Sequence, residues 1–466
     1  MKARRKMLME NLSYAFLAQG VSLLLNLLVS LVIPRVFGVG DFDFWQLFIF
    51  FTSYGGFLHL GLNDGIYLRF GGKNYDELDH GTLGVQMRIS LLFQILMGIL
   101  IVLISMLFVS DTNRIFVIIM AVLYSIVSNV SMFLGFVFRA TNQIKVFSKS
   151  NLIYSIFLIV TISGILLLRI SSLQLLVLLY VLSRVVSFVY LVIQGREIVF
   201  SKRGNVKHSF KELLFNTKSG FSLMMALTMG TLIVGIGRLF IDSHWGIEAF
   251  GQVSFALLLT KLFLVFVNQI SFVIFPILRR VEESEQRTFY LKAHRLLTLI
   301  LPLTLFAYLP LQVFIRMWLP AYEESLTFIG LLLPLCLFEG KMKMLSSTYF
   351  KLLRKEKSLL KINVLCACLS LILSLIGTYV FNRITIVVTF MTIALVIRSV
   401  LSEVYVSKQL NVSVYKQAFS EISLALVFVA STSFLATTQG MIVFLMAYVV
   451  YVILSKRVIL RRVLQP

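Results

Sequence analysis

The chain has 466 residues, 59% of them apolar and only 14% charged, with a mean hydropathy of +0.92. A soluble domain is about 45–50% apolar and about 25% charged, so this composition excludes a soluble multidomain protein and describes an integral membrane protein. Lys and Arg number 43 against 21 Asp and Glu, a net charge of +22. In a soluble chain that excess would point to nucleic acid. In a membrane chain it first reports which side of the bilayer each loop occupies.

The N-terminus is basic (Lys2, Arg4, Arg5, Lys6) and runs into an apolar stretch from Leu12 to Ile33. That stretch is longer than a signal-peptide core and lacks a small-residue cleavage site, so it reads as an uncleaved first span. A helical span needs about 20 apolar residues. Fourteen segments qualify: 12–33, 44–68, 84–109, 115–138, 150–168, 173–195, 219–241, 249–275, 293–315, 325–346, 359–381, 384–406, 417–437 and 440–455. All are too long for barrel strands, so the expected class is an all-α bundle of about 14 transmembrane helices. With the N-terminus inside, the cytoplasmic segments carry 35 Lys and Arg and the outer loops only six: Arg35, Arg114, Arg169, Arg238, Arg316 and Arg383. This asymmetry places both termini in the cytoplasm. Most of the net charge then serves topology and attraction to anionic headgroups, and no nucleic-acid partner is expected.

Two halves are legible. The segment Phe138, Arg139, Lys145, Lys149, Asn151 returns 212 residues later as Phe350, Lys351, Lys357, Lys361, Asn363. Arg35 and Phe37 return as Arg238 and Phe240, 203 residues on. Both offsets equal six spans, an even number, so the halves should share one orientation about an axis along the membrane normal. The expected organisation is an N-lobe over 1–196, a C-lobe over 197–410, and two further spans with a basic tail over 411–466. The two lobes would surround a central cavity.

Polar residues recur along single faces of several spans. Span 1 carries Asn11, Gln19, Ser22, Asn26 and Ser30. Span 2 carries Thr52, Gly56, His59, Asn63 and Tyr67. Span 7 carries Thr228, Thr231, Gly235, Arg238 and Asp242, span 8 Ser254, Lys261 and Asn268, and span 12 Thr385, Thr389, Thr392, Ser399 and Glu403. At about 100° per residue each set occupies one arc. Lipid penalises such arcs, so they face protein or water. Lys261 and Arg184 lie near mid-span, where a basic side chain costs about 2.5–3.5 kcal/mol on insertion scales. Arg35, Arg69 and Arg238 lie nearer the ends. These five form the candidate substrate-binding cations, with Gln19, Asn26, His59, Asn63 and Asn268 as candidate cavity-lining polar groups. Asp64 and Glu403 are candidates for ion coupling. Glu339, four residues before Lys343, reads as a local helix pair.

The three cysteines support neither a disulfide nor a zinc site, and no phosphate-binding, dinucleotide-binding or metalloprotease motif occurs. No cofactor, metal or enzymatic activity is expected. The cavity is cationic and polar, and its natural guest is an anion bearing hydroxyl groups. An exporter of organic cations would call for buried carboxylates, which are sparse.

The stretch "NLSYAFLAQGVSLLLNLLVSLVIPRVFGVGDFDFWQ" followed by "GLNDGIYLRF" resembles the polysaccharide (O-antigen type) flippases. So do "GRLFIDSHWGIEAFGQVSFA" at spans 7–8 and "RMWLPAY" before span 10. The likeness covers most of the chain. Relatives often carry Asp-Arg where this chain has Gly237 and Arg238. The resemblance implies the multidrug/oligosaccharidyl-lipid/polysaccharide exporter superfamily: 12–14 spans in two lobes, moving polyprenyl-diphosphate-linked glycans across the bacterial cytoplasmic membrane by alternating access. The implied partners are a lipid-linked glycan, membrane lipids and other polysaccharide-assembly proteins. The alternative within the superfamily is an ion-coupled exporter of small amphiphiles.

Overall fold

The computed structural model describes residues 2–202, 204–278 and 283–463, with side chains outside 2–12, 15, 265–284 and 455–463. All regular structure among the described residues is helical. The chain is a multi-pass membrane protein. Among the described residues eleven helices are long and apolar enough to cross a bilayer, or twelve when the bent pair Ser325–Leu332 and Leu335–Leu352 is taken as one span. The fourteen expected spans differ from this set in two regions.

The first is the helix Val206–Leu278, 73 residues without an assigned break. At about 1.5 Å per residue a straight helix of that length would measure about 110 Å, against a hydrocarbon core of about 30 Å. The backbone turns at Gly246, where φ is 87° and ψ is −177°, a region that essentially only glycine occupies. The side chains record the reversal. The Arg238 guanidinium donates to Ser254 Oγ from Nη2 at 2.7 Å and from Nε at 3.1 Å, and lies 4.5 Å from the Phe250 ring centroid. Sixteen residues along one straight helix would separate the two backbones by about 24 Å. Spans 7 and 8 are therefore two crossings joined at Gly246.

The second is span 2. The expected helix over 44–68 is divided into Val39–Thr52, a 3₁₀ turn Gly55–His59, and Leu62–Phe70. Leu60 and Gly61 are left-handed, with φ of 51° and 89°. This corrects the single polar arc expected through Thr52, Gly56, His59, Asn63 and Tyr67, because the register of a continuous helix is lost at Leu60 and Gly61.

The chain clusters into two compact units, Met1–Thr228 and Met229–Pro466. The first has an apolar core built around Leu62, Ile66, Leu83, Phe133, Leu134 and Phe138. Asp79 caps the helix His80–Phe108, accepting from the Thr82 hydroxyl at 2.6 Å and the Thr82 amide at 3.0 Å. These bonds hold its carboxyl below the usual carboxylate range. The GLNDG segment crosses the start of Val206–Leu278 at backbone contact. A Cβ on Gly65 would collide with the Asn216 carbonyl, and one on Gly61 would lie 2.7 Å from the Phe221 backbone. Small residues permit such approach. Gly65→Ala is expected to destabilise the protein by about 1–3 kcal/mol, the usual range for overpacking, seen as a lower thermal midpoint and lower yield in detergent.

The 212-residue repeat has a backbone counterpart. Thr112–Ala140 ends in a turn with Asn142 left-handed (φ 61°), and Ser347–Leu352 ends with Arg354 left-handed (φ 54°). In the first turn the Gln143 amide donates to the Phe138 carbonyl at 2.7 Å. In the second the Lys355 amide donates to the Phe350 carbonyl at 2.8 Å. Both carry the 6→1 bond of a Schellman cap. The 325–352 region departs from its partner in one respect: it breaks near Pro334 and contains a π-helical turn over Met342–Ser346.

Candidate functional site

The π-helical turn adjoins a group of charges in the second unit. π-Bulges frequently mark functional positions, and here Glu339, Lys341 and Lys343 lie within four residues of it. Arg398, on the helix Ile384–Gln409, donates from Nη1 to Glu339 at 2.9 Å and from Nε to Asn363 Oδ1 at 2.9 Å. Glu339 is thus paired to a second helix. Lys343 remains within electrostatic reach of Glu339 and Arg398.

Lys261 faces this group. It is exposed, yet Arg238, Lys343 and Glu339 are its electrostatic neighbours. A side chain that the protein leaves uncovered, with charged neighbours from two spans, marks a charged recess. No carboxylate among the described residues comes within ion-pair distance of it. The recess gathers four cations, Arg238, Lys261, Lys343 and Arg398, around one acid, Glu339. Its charge suits an anion. Arg238 is buried over Phe250 and bonded to Ser254, as described above. The side chain of Asn268, expected on the same face as Lys261, lies outside the described residues.

In the first unit Arg184 is enclosed by tyrosines. Its guanidinium carbon is 4.3 Å from the Tyr154 ring centroid and 5.7 Å from that of Tyr124, and Nη2 donates to Tyr124 Oη at 3.2 Å. Tyr180 packs edge-on to Tyr154 at 5.9 Å. No carboxylate among the described residues is ion-paired with Arg184. Cation–π contact takes the place of a counter-ion.

The remaining candidates are dispersed. Arg69 pairs with Glu212 at 2.8 Å, donates to Asn216 Oδ1 at 2.6 Å, and stacks 4.4 Å over Phe215. Asn63 is buried and donates to the Asn129 carbonyl at 3.0 Å. His59 accepts from the Gly61 amide through Nδ1 at 3.0 Å, and its Nε2 lies 4.0 Å from Asp64. Arg35 and Asn26 are exposed, and Gln19 is half-buried. Ser22 is hydrogen-bonded to Ser155 at 3.2 Å, a helix–helix contact. Glu403 is buried in a cluster with Lys341, Glu421 and His294.

Sequence reading did not single out Arg398 or Lys341, and took Lys343 only as the partner of Glu339. Each lies close enough to a span end expected in the cytoplasm to be absorbed into the loop charge count. The available signal was the spacing of Glu339, Lys341 and Lys343, three charges alternating within an otherwise apolar span.

The described chain superposes along most of its length on solved membrane transporters. A structure of the lipid II flippase MurJ in an inward closed conformation aligns with a TM-score of 0.62 at 13% identity, covering 97% of this chain and 99% of that one. The chain shares that fold. A multidrug resistance MATE family transporter of the MOP superfamily aligns in its inward-facing conformation with a TM-score of 0.54 at 14% identity, covering 86% of this chain and 98% of that one. Its outward-facing conformation gives 0.52 at 14% identity, over 86% and 96%. At these identities the likeness concerns the fold. No protein-family model and no curated protein sequence matches the chain.

Proposed function

We propose that this MOP-fold chain is a flippase for a polyprenyl-diphosphate-linked oligosaccharide in the bacterial cytoplasmic membrane. It works by alternating access of lobes 1–196 and 197–410, with both termini in the cytoplasm and no covalent chemistry. The observation that carries this reading is the recess at Lys261, where four cations surround one acid. On this reading Lys261, Arg238, Lys343 and Arg398 receive the diphosphate, and Arg184 and Arg35 are further substrate-binding cations of the first unit. Gln19 and Asn26 hydrate the sugar. The ion pair of Arg69 with Glu212 makes it a positioning residue. The membrane potential assists export of an anion by about 2.3 kcal/mol per elementary charge per 100 mV.

The test is reconstitution in liposomes with a fluorescent polyprenyl-diphosphate disaccharide, a neutral polyprenyl glycoside and a cationic dye. The diphosphate lipid is expected to cross fastest, with an inside-negative potential speeding its outward movement. Preferential movement of the cationic dye would return the chain to the exporter reading.

A further inference from the structure

Lys341 lies at the centre of a second ionic group in the Met229–Pro466 unit, distinct from the recess. Its ammonium donates to Glu403 Oε1 at 3.0 Å and to both oxygens of Glu421, at 3.0 and 2.8 Å. Glu403 Oε1 also meets His294 Nε2 in a short hydrogen bond. All four side chains are buried. They come from four helices: Glu283–Ile300, Leu335–Lys341, Ile384–Gln409 and Tyr415–Phe434. Two tyrosines complete the surroundings. The Tyr290 ring centroid is 5.8 Å from that of His294, and the Tyr349 ring is 5.1 Å from Tyr290. The Tyr349 hydroxyl donates to the Gln286 carbonyl at 2.7 Å, and Tyr290 Oη is buried with no hydrogen-bond partner among the described residues. The charged groups facing Glu403 are Lys341 and His294, and those facing Lys341 are the two glutamates.

The charges do not balance without a proton. Two carboxylates and one ammonium leave a net charge of −1 in a buried site, which is expensive. One proton on the imidazole restores neutrality and supplies a donor for the hydrogen bond to Glu403. A metal ion does not fit, because the Lys341 ammonium already occupies the space between the carboxylates. We propose that His294 and Glu403 form a proton-binding site, and that the proton held between them fastens the helix Tyr415–Phe434 to the rest of this unit. When the proton leaves for water, the uncompensated charge pulls Lys341 between two acids. Glu421 is then the weakest-held member, because its described polar contacts are to Lys341 alone.

The test is independent of the transported substrate. Thermal unfolding of the full chain in detergent would be followed across pH for His294→Gln, Glu421→Gln and the double variant. His294→Gln removes the proton carrier and should lower the midpoint by several degrees. Glu421→Gln removes one negative charge, so the group is neutral without the proton. Adding His294→Gln to Glu421→Gln should therefore cost much less than it does alone. The sign of the pH effect follows from the charge balance: loss of the proton leaves a buried net charge of −1, so stability should fall as pH rises, and Glu421→Gln, whose group is neutral without that proton, should flatten the slope. Equal effects of His294→Gln in both backgrounds, or an unchanged pH slope in Glu421→Gln, would overturn the proposal.

Discussion

Replacing Lys261 by Met is expected to abolish lipid translocation while leaving protein level and thermal midpoint near those of the parent chain. The side chain is open within its recess, and Arg238 and Lys343 are among its electrostatic neighbours. Removing its charge relieves repulsion between cations and leaves no acid unpaired, since Glu339 is held by Arg398 at 2.9 Å. Stability is therefore not at stake, which separates a ligand role from a structural one. Deleting one partner of a hydrogen-bonded charge pair costs about 2–5 kcal/mol, a loss of roughly thirtyfold or more in substrate engagement. Lys261→Arg keeps the charge and should retain part of the rate. Initial rates in proteoliposomes, read beside expression and melting curves, decide the matter. Undiminished transport by Lys261→Met would remove this residue from the site.

The two halves of the Arg398–Glu339 pair should respond unequally to mutation. Glu339→Gln leaves four cations with no acid in a largely buried place. Breaking such a pair by removing one partner typically costs about 3–5 kcal/mol, so this variant should accumulate poorly. Arg398→Gln should be milder, because Lys343 stands one helical turn from Glu339 and already lies within its electrostatic reach. The carboxylate would exchange one cation for another. Expression and melting of the two single variants, with Glu339→Gln/Arg398→Gln as the neutral reference, test the asymmetry. Equal losses would mean that Lys343 cannot take the place of Arg398.

The helical segments were legible because lipid imposes one rule: an apolar run of sufficient length, bounded by charge. Most predicted borders fall within a few residues of the helices, as at 173–195 against Leu173–Gln194. The exceptions have local causes. Span 2 has the length and hydropathy of a helix, but Leu60 and Gly61 adopt left-handed backbone in a close crossing with Asn216–Phe221. That crossing depends on residues more than 150 positions away. The site was legible in part. Lys261 and Arg184 stood out because they lie far from either span end. Arg398, Lys341 and Lys343 did not, because positional counting treats a cation near a span border as topology. Pairing is a property of tertiary structure, and it decided each case: Arg69 has an acid, Arg184 has tyrosines, and Lys341 has two glutamates.

The backbone at Gly246 has a consequence for the whole second half of the chain. With φ at 87° and ψ at −177°, the position admits a hydrogen where every other amino acid carries a carbon. Suppose the helix ran on through that point: one crossing would be lost and the parity of the remainder would change. Every later loop would then be delivered to the opposite face of the bilayer. The turn at Gly246 thus sets the crossing parity of more than two hundred residues that follow it. A substitution there would be read out as inverted labelling of the C-terminal loops long before any change in substrate handling was noticed.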